Sequence, residues 1–180
     1  MKYISILRGI NVGGHKKIKM ADLKALYVAL HFKAVETYIQ SGNVIFESSS
    51  SDVSTLKSTI EIAISEKFGF DVPVLIRSVQ DWKQVMDNCP FLPVDLNVDG
   101  TNVLVTFLSE PPETERILVV KALVKPPEEL HILGREVYLH CPNGYGNTKL
   151  SNPLLERKLA VEATTRNWKS VVKLAEMSSD

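Results

Sequence analysis

The sequence predicts an α+β protein: a ferredoxin-like βαββαβ first half, then a smaller second half of βαββ plus helices. Three observations carry this. Short apolar runs rich in Val and Ile alternate with longer stretches whose apolar residues recur at helical spacing. Two pairs of strand-like runs meet at tight glycine turns, Ser41-Gly42 and Gly134-Arg135. The second half also opens in the same strand–helix order as the first.

Taken in order, residues 2–7 read as a buried strand. Residues 20–31 place Leu23, Leu26, Tyr27 and Leu30 on one helical face, with Asp22 in the first turn, where the helix dipole favours negative charge. Strands over 34–40 and 43–48 join at Gln40-Ser41-Gly42-Asn43, and Gly42 supplies the turn. The serine run 48–51 is expected to cap a helix over 53–68, whose Leu56, Ile60, Ala63, Ile64 and Phe68 share a face. A fourth strand spans 72–77. Ser78 and Asp81 then stand as a capping box for a helix bearing Val79, Trp82, Val85 and Met86.

The aperiodic, proline-bearing stretch 89–101 reads as a linker between a first domain at 1–88 and a second at 102–180. The second domain begins with a strand at 102–108 and a helix at 112–124 entered through Pro111-Pro112. Hairpin strands follow at 129–133 and 136–141. Two helices are then expected in place of a fourth strand. One starts at Ser151-Asn152-Pro153 and the other at Thr164-Thr165, running through Trp168, Val171, Val172 and Ala175. In that reading Thr165 is an N-cap, Arg166 and Asn167 project at the helix start, and Trp168 is core.

Composition sets bounds on function. The 180 residues, 44% hydrophobic, can build a core without disulfides. Lys and Arg number 21 against 21 Asp and Glu, so broad nucleic-acid binding is not expected. Cys89 and Cys141 fit neither a CxxC nor a Cys/His spacing, and the histidines share no ligand spacing. No structural metal, disulfide framework or cofactor is expected, and no catalytic constellation is apparent. No apolar run nears the roughly 20 residues needed to cross a bilayer. No signal peptide is visible either, so the expected setting is reduced and cytoplasmic, with no membrane partner.

Chemistry concentrates in one loop. No Asp or Glu precedes Asp22, whereas Lys2, Arg8, Lys16, Lys17 and Lys19 do, and residues 8–14 read RGINVGG. Gly9 and Gly14 have the spacing of a phosphate-binding P-loop, but His15-Lys16-Lys17 stands where that motif needs Lys-Ser/Thr. No G-x-G-x-x-G occurs, so a dinucleotide site is unsupported. In a ferredoxin-like sheet strands 1 and 3 are antiparallel neighbours, which brings this loop beside residues 40–43. Free backbone N–H groups, a helix N-terminus and cations would then form a pocket for a small phosphate- or carboxylate-bearing ligand. Arg8 would anchor the charge, Gly13 and Gly14 would donate backbone N–H groups, and Ser41 and Asn43 would read polar atoms. Asn11 and Lys17 complete the first-half set, and Lys149, Arg166 and Asn167 would come from the second half. The rival reading is architectural: the glycines make a wide turn, Arg8 and Asn11 bond the nearby backbone, and the lysines are solvated. The stretch 143–153 (NGYGNTKLSNP) admits the same two readings. A protein-interaction or RNA-binding module is the third class. RNA is disfavoured because Ile4, Ile6, Val44, Ile45 and Phe46 read as core and not as stacking rings.

These stretches also carry a resemblance. LRGINVGG with KMADLKAL, then VETYIQSGNVIF, then TKLSNPLLERKL with ATTRNWKSVVKLAEM resemble the uncharacterised bacterial family called Domain of Unknown Function 1697. The resemblance implies a small cytosolic α+β protein with a ferredoxin-like first half and no assigned activity. Its signature positions here are Arg8, Gly9, Asn11, Gly13, Gly14, Ser41, Gly42, Asn43, Lys149, Arg166, Asn167 and Trp168.

Overall fold

The computed structural model describes residues 1–179. The chain resolves into two compact units, one of residues Met1–Gln84 with the chain end from Leu174, the other of Val85–Lys173. The first contains β1 (Lys2–Leu7), α1 (Met20–Ala29), β2 (Lys33–Tyr38), β3 (Asn43–Glu47), α2 (Val53–Phe68) and β4 (Val74–Ser78), from which α3 (Val79–Asp87) continues. Its antiparallel sheet has the order β2-β3-β1-β4, the ferredoxin-like arrangement with β1 and β3 side by side. Alternate residues of each strand share a face, so Tyr3, Leu7, Val44, Phe46, Val74 and Ile76 form one apolar layer. Leu23 and Tyr27 from α1 and Leu56, Ile60 and Ile64 from α2 complete that core.

Local sequence explains the helix starts. Ser78 and Asp81 form the expected capping box, with Asp81 N–H donating to Ser78 Oγ (3.0 Å) and Ser78 N–H to Asp81 Oδ2 (3.3 Å). The serine run does not cap α2. Asp52 does, accepting from Ser54 N–H at 3.0 Å and from Thr55 Oγ1 at 2.6 Å. A carboxylate accepts more strongly than a hydroxyl at the positive end of a helix, and Asp52 sits one residue closer to it.

The second unit holds β5 (Val103–Leu108), α4 (Thr114–Ala122), β6 (Glu129–Leu133), β7 (Glu136–His140), α5 (Asn152–Leu159) and β8 (Ala163–Asn167), and α6 (Trp168–Ser178) begins in it. The expectation of two helices and no fourth strand is corrected here. Residues 163–167 pair antiparallel with β5, from Leu104 opposite Asn167 to Leu108 opposite Ala163. Two adjacent β-branched threonines suit an extended chain, and β5 without a neighbour there would leave backbone groups unpaired. The hydroxyls of Thr106 and Thr165 meet at 2.7 Å, and Thr165 donates to Asn152 Oδ1 at 2.9 Å. The sheet order is β6-β7-β5-β8, so the second half repeats the whole topology of the first. Pro111 and Pro112 lie before α4, whose N-cap is Glu113.

The stretch 89–101 forms no helix or strand. It packs within the second unit: the Phe91 ring centroid lies 5.6 Å from that of His131 and 5.5 Å from that of His140. His140 Nε2 meets Asp99 Oδ1 at 3.3 Å. Among the described residues no helix is long and apolar enough to cross a membrane.

Candidate functional site

The loop between β1 and α1 is built as a small clamped hairpin. Leu7 N–H donates to Gly42 O at 2.9 Å, which joins the end of β1 to the β2–β3 turn as the topology requires. Val12 and His15 then bridge as an antiparallel pair, with His15 N–H on Val12 O at 3.0 Å. The two residues between them, Gly13 (φ 58°) and Gly14 (φ 78°), both take positive φ. That is the signature of a type I′ turn, which only residues tolerant of left-handed backbone accept.

Asn11 closes the hairpin base. Its side-chain amide donates to Ile18 O (3.0 Å) and Gln40 O (2.8 Å), while its Oδ1 accepts from Ile18 N–H at 2.9 Å. Asn11 N–H also donates to Lys16 O at 3.1 Å. Lys16 reaches across to Asp71 O at 2.6 Å. Gly42 completes the seat. Its φ is 85°, and a Cβ placed there would lie 2.6 Å from Ile10 Cδ1.

Beneath this hairpin lies an open groove of about 620 Å³. Its polar lining comprises Asn11, Gly14, Lys17, Lys19, Asp22 and Gln40, and its apolar lining Ile18, Met20 and Phe68. Among the described residues neither the Lys17 nor the Lys19 side chain has a hydrogen-bond or ion-pair partner, and the amides of Gly13 and Gly14 donate to nothing. Lys19 is the N-cap of α1 and makes no side-chain cap, so the N–H groups of the first helical turn face the same end. Asp22 contributes the one acidic side chain to the lining.

Of the residues expected from sequence, the structure brings Asn11, Gly14 and Lys17 together along this groove. Gly13 sits at the exposed hairpin tip. Arg8 is half-buried at the hairpin root, its N–H on Pro73 O at 3.0 Å. Asn43 is fully buried and donates to Tyr38 O (2.8 Å) and Ser41 Oγ (3.2 Å), so both side chains serve the turn.

Lys149, Arg166 and Asn167 belong to the second unit. Lys149 is exposed, ahead of α5. Arg166 does not project from a helix start. It lies in β8, 7% exposed, and donates to Thr164 Oγ1 (3.1 Å) and Thr165 O (2.9 Å). Burial pulls its pKa down to about 10. The N-cap of α6 is Asn167, not Thr165: Asn167 Oδ1 accepts from Ser170 N–H at 3.0 Å. The 143–153 loop closes on itself, with Asn152 N–H on Tyr145 Oη at 2.8 Å and the Asn147 amide on Asn143 O at 2.7 Å.

Sequence reasoning did not assign Lys19, Asp22 and Gln40 to the site, although each is adjacent to a stretch it weighed. Phe68, at the far end of α2, carries no local signal at all.

Comparison with known proteins adds a family and a fold. The family described as "Protein of unknown function (DUF1697)" matches residues 1–138. The solved structure of the conserved bacterial protein SP0830 from Streptococcus pneumoniae is similar, with a TM-score of 0.77 and 26% sequence identity. That likeness covers 98% of this chain and 97% of the other. No curated protein matches.

Proposed function

The chain belongs to the DUF1697 family of proteins of unknown function, and from that premise we propose that it binds a small anionic ligand in the groove beneath the Val12–His15 hairpin. The observation that carries this reading is the groove itself. It gathers two lysines whose side chains have no partner and an N-cap that makes no side-chain cap, together with the apolar Ile18, Met20 and Phe68. Free amides and cations favour a phosphate or carboxylate, and the apolar wall favours a hydrocarbon or ring attached to it. Asp22 in the same lining repels highly charged anions, so a singly charged or zwitterionic molecule suits the groove better than a polyphosphate. The same reading places the protein in a reducing, cytoplasmic setting, where the free thiols of Cys89 and Cys141 persist.

The test is a thermal-shift screen of wild type and Lys17→Ala against inorganic phosphate, phenyl phosphate, sugar phosphates, short carboxylates and acyl phosphates. A ligand at about 100 times its dissociation constant should add about 2.7 kcal/mol, a rise of several degrees. Lys17→Ala should abolish that rise and leave the unliganded melting temperature within about a degree, since the side chain bonds nothing. No rise for any compound, or a rise indifferent to both Lys17→Ala and Lys19→Ala, removes the proposal.

A further inference from the structure

Both halves tie the first turn of their first helix to the last turn of their second. In the first half Lys67 Nζ, from the penultimate residue of α2, donates to the carbonyl of Asp22, the third residue of α1, at 3.3 Å. In the second half Arg116 Nη1, from the third residue of α4, donates to the carbonyl of Lys158, the penultimate residue of α5, at 3.4 Å. A cleft opens at each junction. One is the groove of about 620 Å³ described above. The other, of about 490 Å³, is lined by Glu113, Glu115, Arg116, Val119, Arg157 and Lys158.

Each cleft carries opposite charges at the N-cap and at the third residue of its first helix, Lys19 with Asp22 and Glu113 with Arg116. Residues three apart on a helix lie within ion-pair reach. Glu113 and Arg116 use it, with Oε2 and Nε 3.5 Å apart. Lys19 and Asp22 do not. Among the described residues the Asp22 carboxylate has no hydrogen-bond or ion-pair partner, and Lys67 bonds the Asp22 carbonyl without reaching the carboxylate. The Lys17 and Lys19 ammonium groups on the same groove are unpaired too. The first groove thus holds opposite charges apart, where its counterpart lets them meet. Separated charges along one groove are complementary to a dipolar molecule, whose carboxylate meets the lysines and whose ammonium meets Asp22. A plain anion would satisfy the lysines and be repelled by Asp22.

The rest of the lining indicates what the dipole carries. Ile18, Met20 and Phe68 form an apolar wall, and about 620 Å³ is far more than two charged groups occupy. Phe68 is held in place from outside the groove, by the Phe70 ring stacked at 6.3 Å and by Lys67 Nζ 5.7 Å from its centroid. We propose that the groove takes an α-amino acid with an apolar side chain. Its carboxylate would lie on Lys17 and Lys19, its ammonium on Asp22, and its side chain on Ile18, Met20 and Phe68. This rests on the groove reading above and names its ligand.

Isothermal titration calorimetry with L-phenylalanine and three molecules that each lack one part of it tests this. 3-Phenylpropionate lacks the ammonium, phenethylamine the carboxylate and L-alanine the ring. The first two should bind about fivefold more weakly than L-phenylalanine, the upper end for one exposed ion pair. L-Alanine should bind about tenfold more weakly, through the lost apolar contact. Asp22→Asn should weaken L-phenylalanine about fivefold and tighten 3-phenylpropionate, since it removes an attraction from one and a repulsion from the other. A purely structural effect would move both in one direction. L-Phenylalanine bound no better than 3-phenylpropionate, or indifferent to Asp22→Asn, overturns the proposal and leaves the anion groove standing. L-Phenylalanine bound no better than phenethylamine or L-alanine overturns it as well. If neither L-phenylalanine nor any anion of the thermal-shift screen binds, the groove reading falls and this inference with it.

Discussion

The two halves of this chain build one topology from unlike sequences, and they part most clearly in the connection from first strand to first helix. In the first half that connection is residues 8–19, a basic, glycine-bearing hairpin over an open groove. In the second half it is residues 109–113, Ser-Glu-Pro-Pro-Glu, short and acidic, leading straight into α4. The second half shows that the sheet closes without a hairpin there. What the first half adds is therefore surplus to the topology, and surplus that is clamped by named hydrogen bonds is where a ligand site is best sought. The helices differ in the opposite sense. α1 buries Leu23, Leu26 and Tyr27, whereas α4 fully buries only Val120 and packs Ile117, part-buried, against the same core.

The sharpest way to break that contrast is at the two equivalent strand turns. Gly42 and Gly134 both have positive φ, 85° and 59°. A Cβ on Gly42 would strike Ile10 Cδ1 at 2.6 Å and Leu7 Cβ at 3.0 Å, while one on Gly134 meets nothing within 4 Å. Gly134→Ala should cost only the left-handed backbone penalty, about 1 kcal/mol. Gly42→Ala adds overpacking against the hairpin root and should cost about 3 kcal/mol. Urea denaturation of both variants measures the difference. Equal losses would mean that the hairpin yields freely and does not constrain its neighbour.

Next in size is the clamp itself. Asn11→Ala removes two donors and one acceptor that hold Ile18 and Gln40, and it leaves a residue at φ 56° that alanine tolerates poorly. A loss of about 2 kcal/mol is expected, together with faster hydrogen exchange at the Ile18 amide. Asn11→Gly, which accepts the backbone but not the bonds, separates the two contributions. If Asn11→Ala costs less than about 0.5 kcal/mol, the hairpin is held by its turn alone and the groove is not preorganised.

How much of this was legible beforehand follows the range of the interactions. α1, α2, the Ser78–Asp81 box and both hairpins are written in spacing and turn chemistry that span a few residues, and the sequence reading located them. The neighbourhood of residues 8–17 and 40–43 followed from topology once four strands had been placed. β8 did not follow. Ala163–Asn167 is a short strand whose Thr-Thr-Arg-Asn sequence resembles a helix cap, and only the open edge of β5, more than fifty residues earlier, makes it a strand. Arg166 fell with it: a strand position turned its guanidinium inward, where a helix start would have turned it out. Phe68 in the groove wall is set by where α2 ends relative to α1, which no local pattern encodes.

The smallest predicted effect again compares the halves, at the residue after the third strand. Ser48 N–H donates to Met1 O, and Cys141 N–H donates to Asn102 O, so each third strand is extended by one equivalent bond. The first half has a partly exposed hydroxyl there; the second has a buried thiol. Burial, and then the charge of Glu128, pushes the Cys141 pKa from 9.0 up to about 11. The folded state thus keeps its proton where the unfolded chain has lost it, and stability supplied by the neutral thiol is whole below pH 9 and drains away as pH rises to about 11. Burial raises Cys89 in the same sense. Wild type should therefore show a shallow alkaline decline in urea midpoint over that interval. Cys141→Ser, which places the first half's residue at the second half's position, should shallow the decline, with Cys89 and the tyrosines Tyr27 and Tyr138, which burial also pushes up, supplying what remains. A decline unchanged in Cys141→Ser would assign the alkaline limb to other groups and leave the two strand ends energetically alike despite their different side chains.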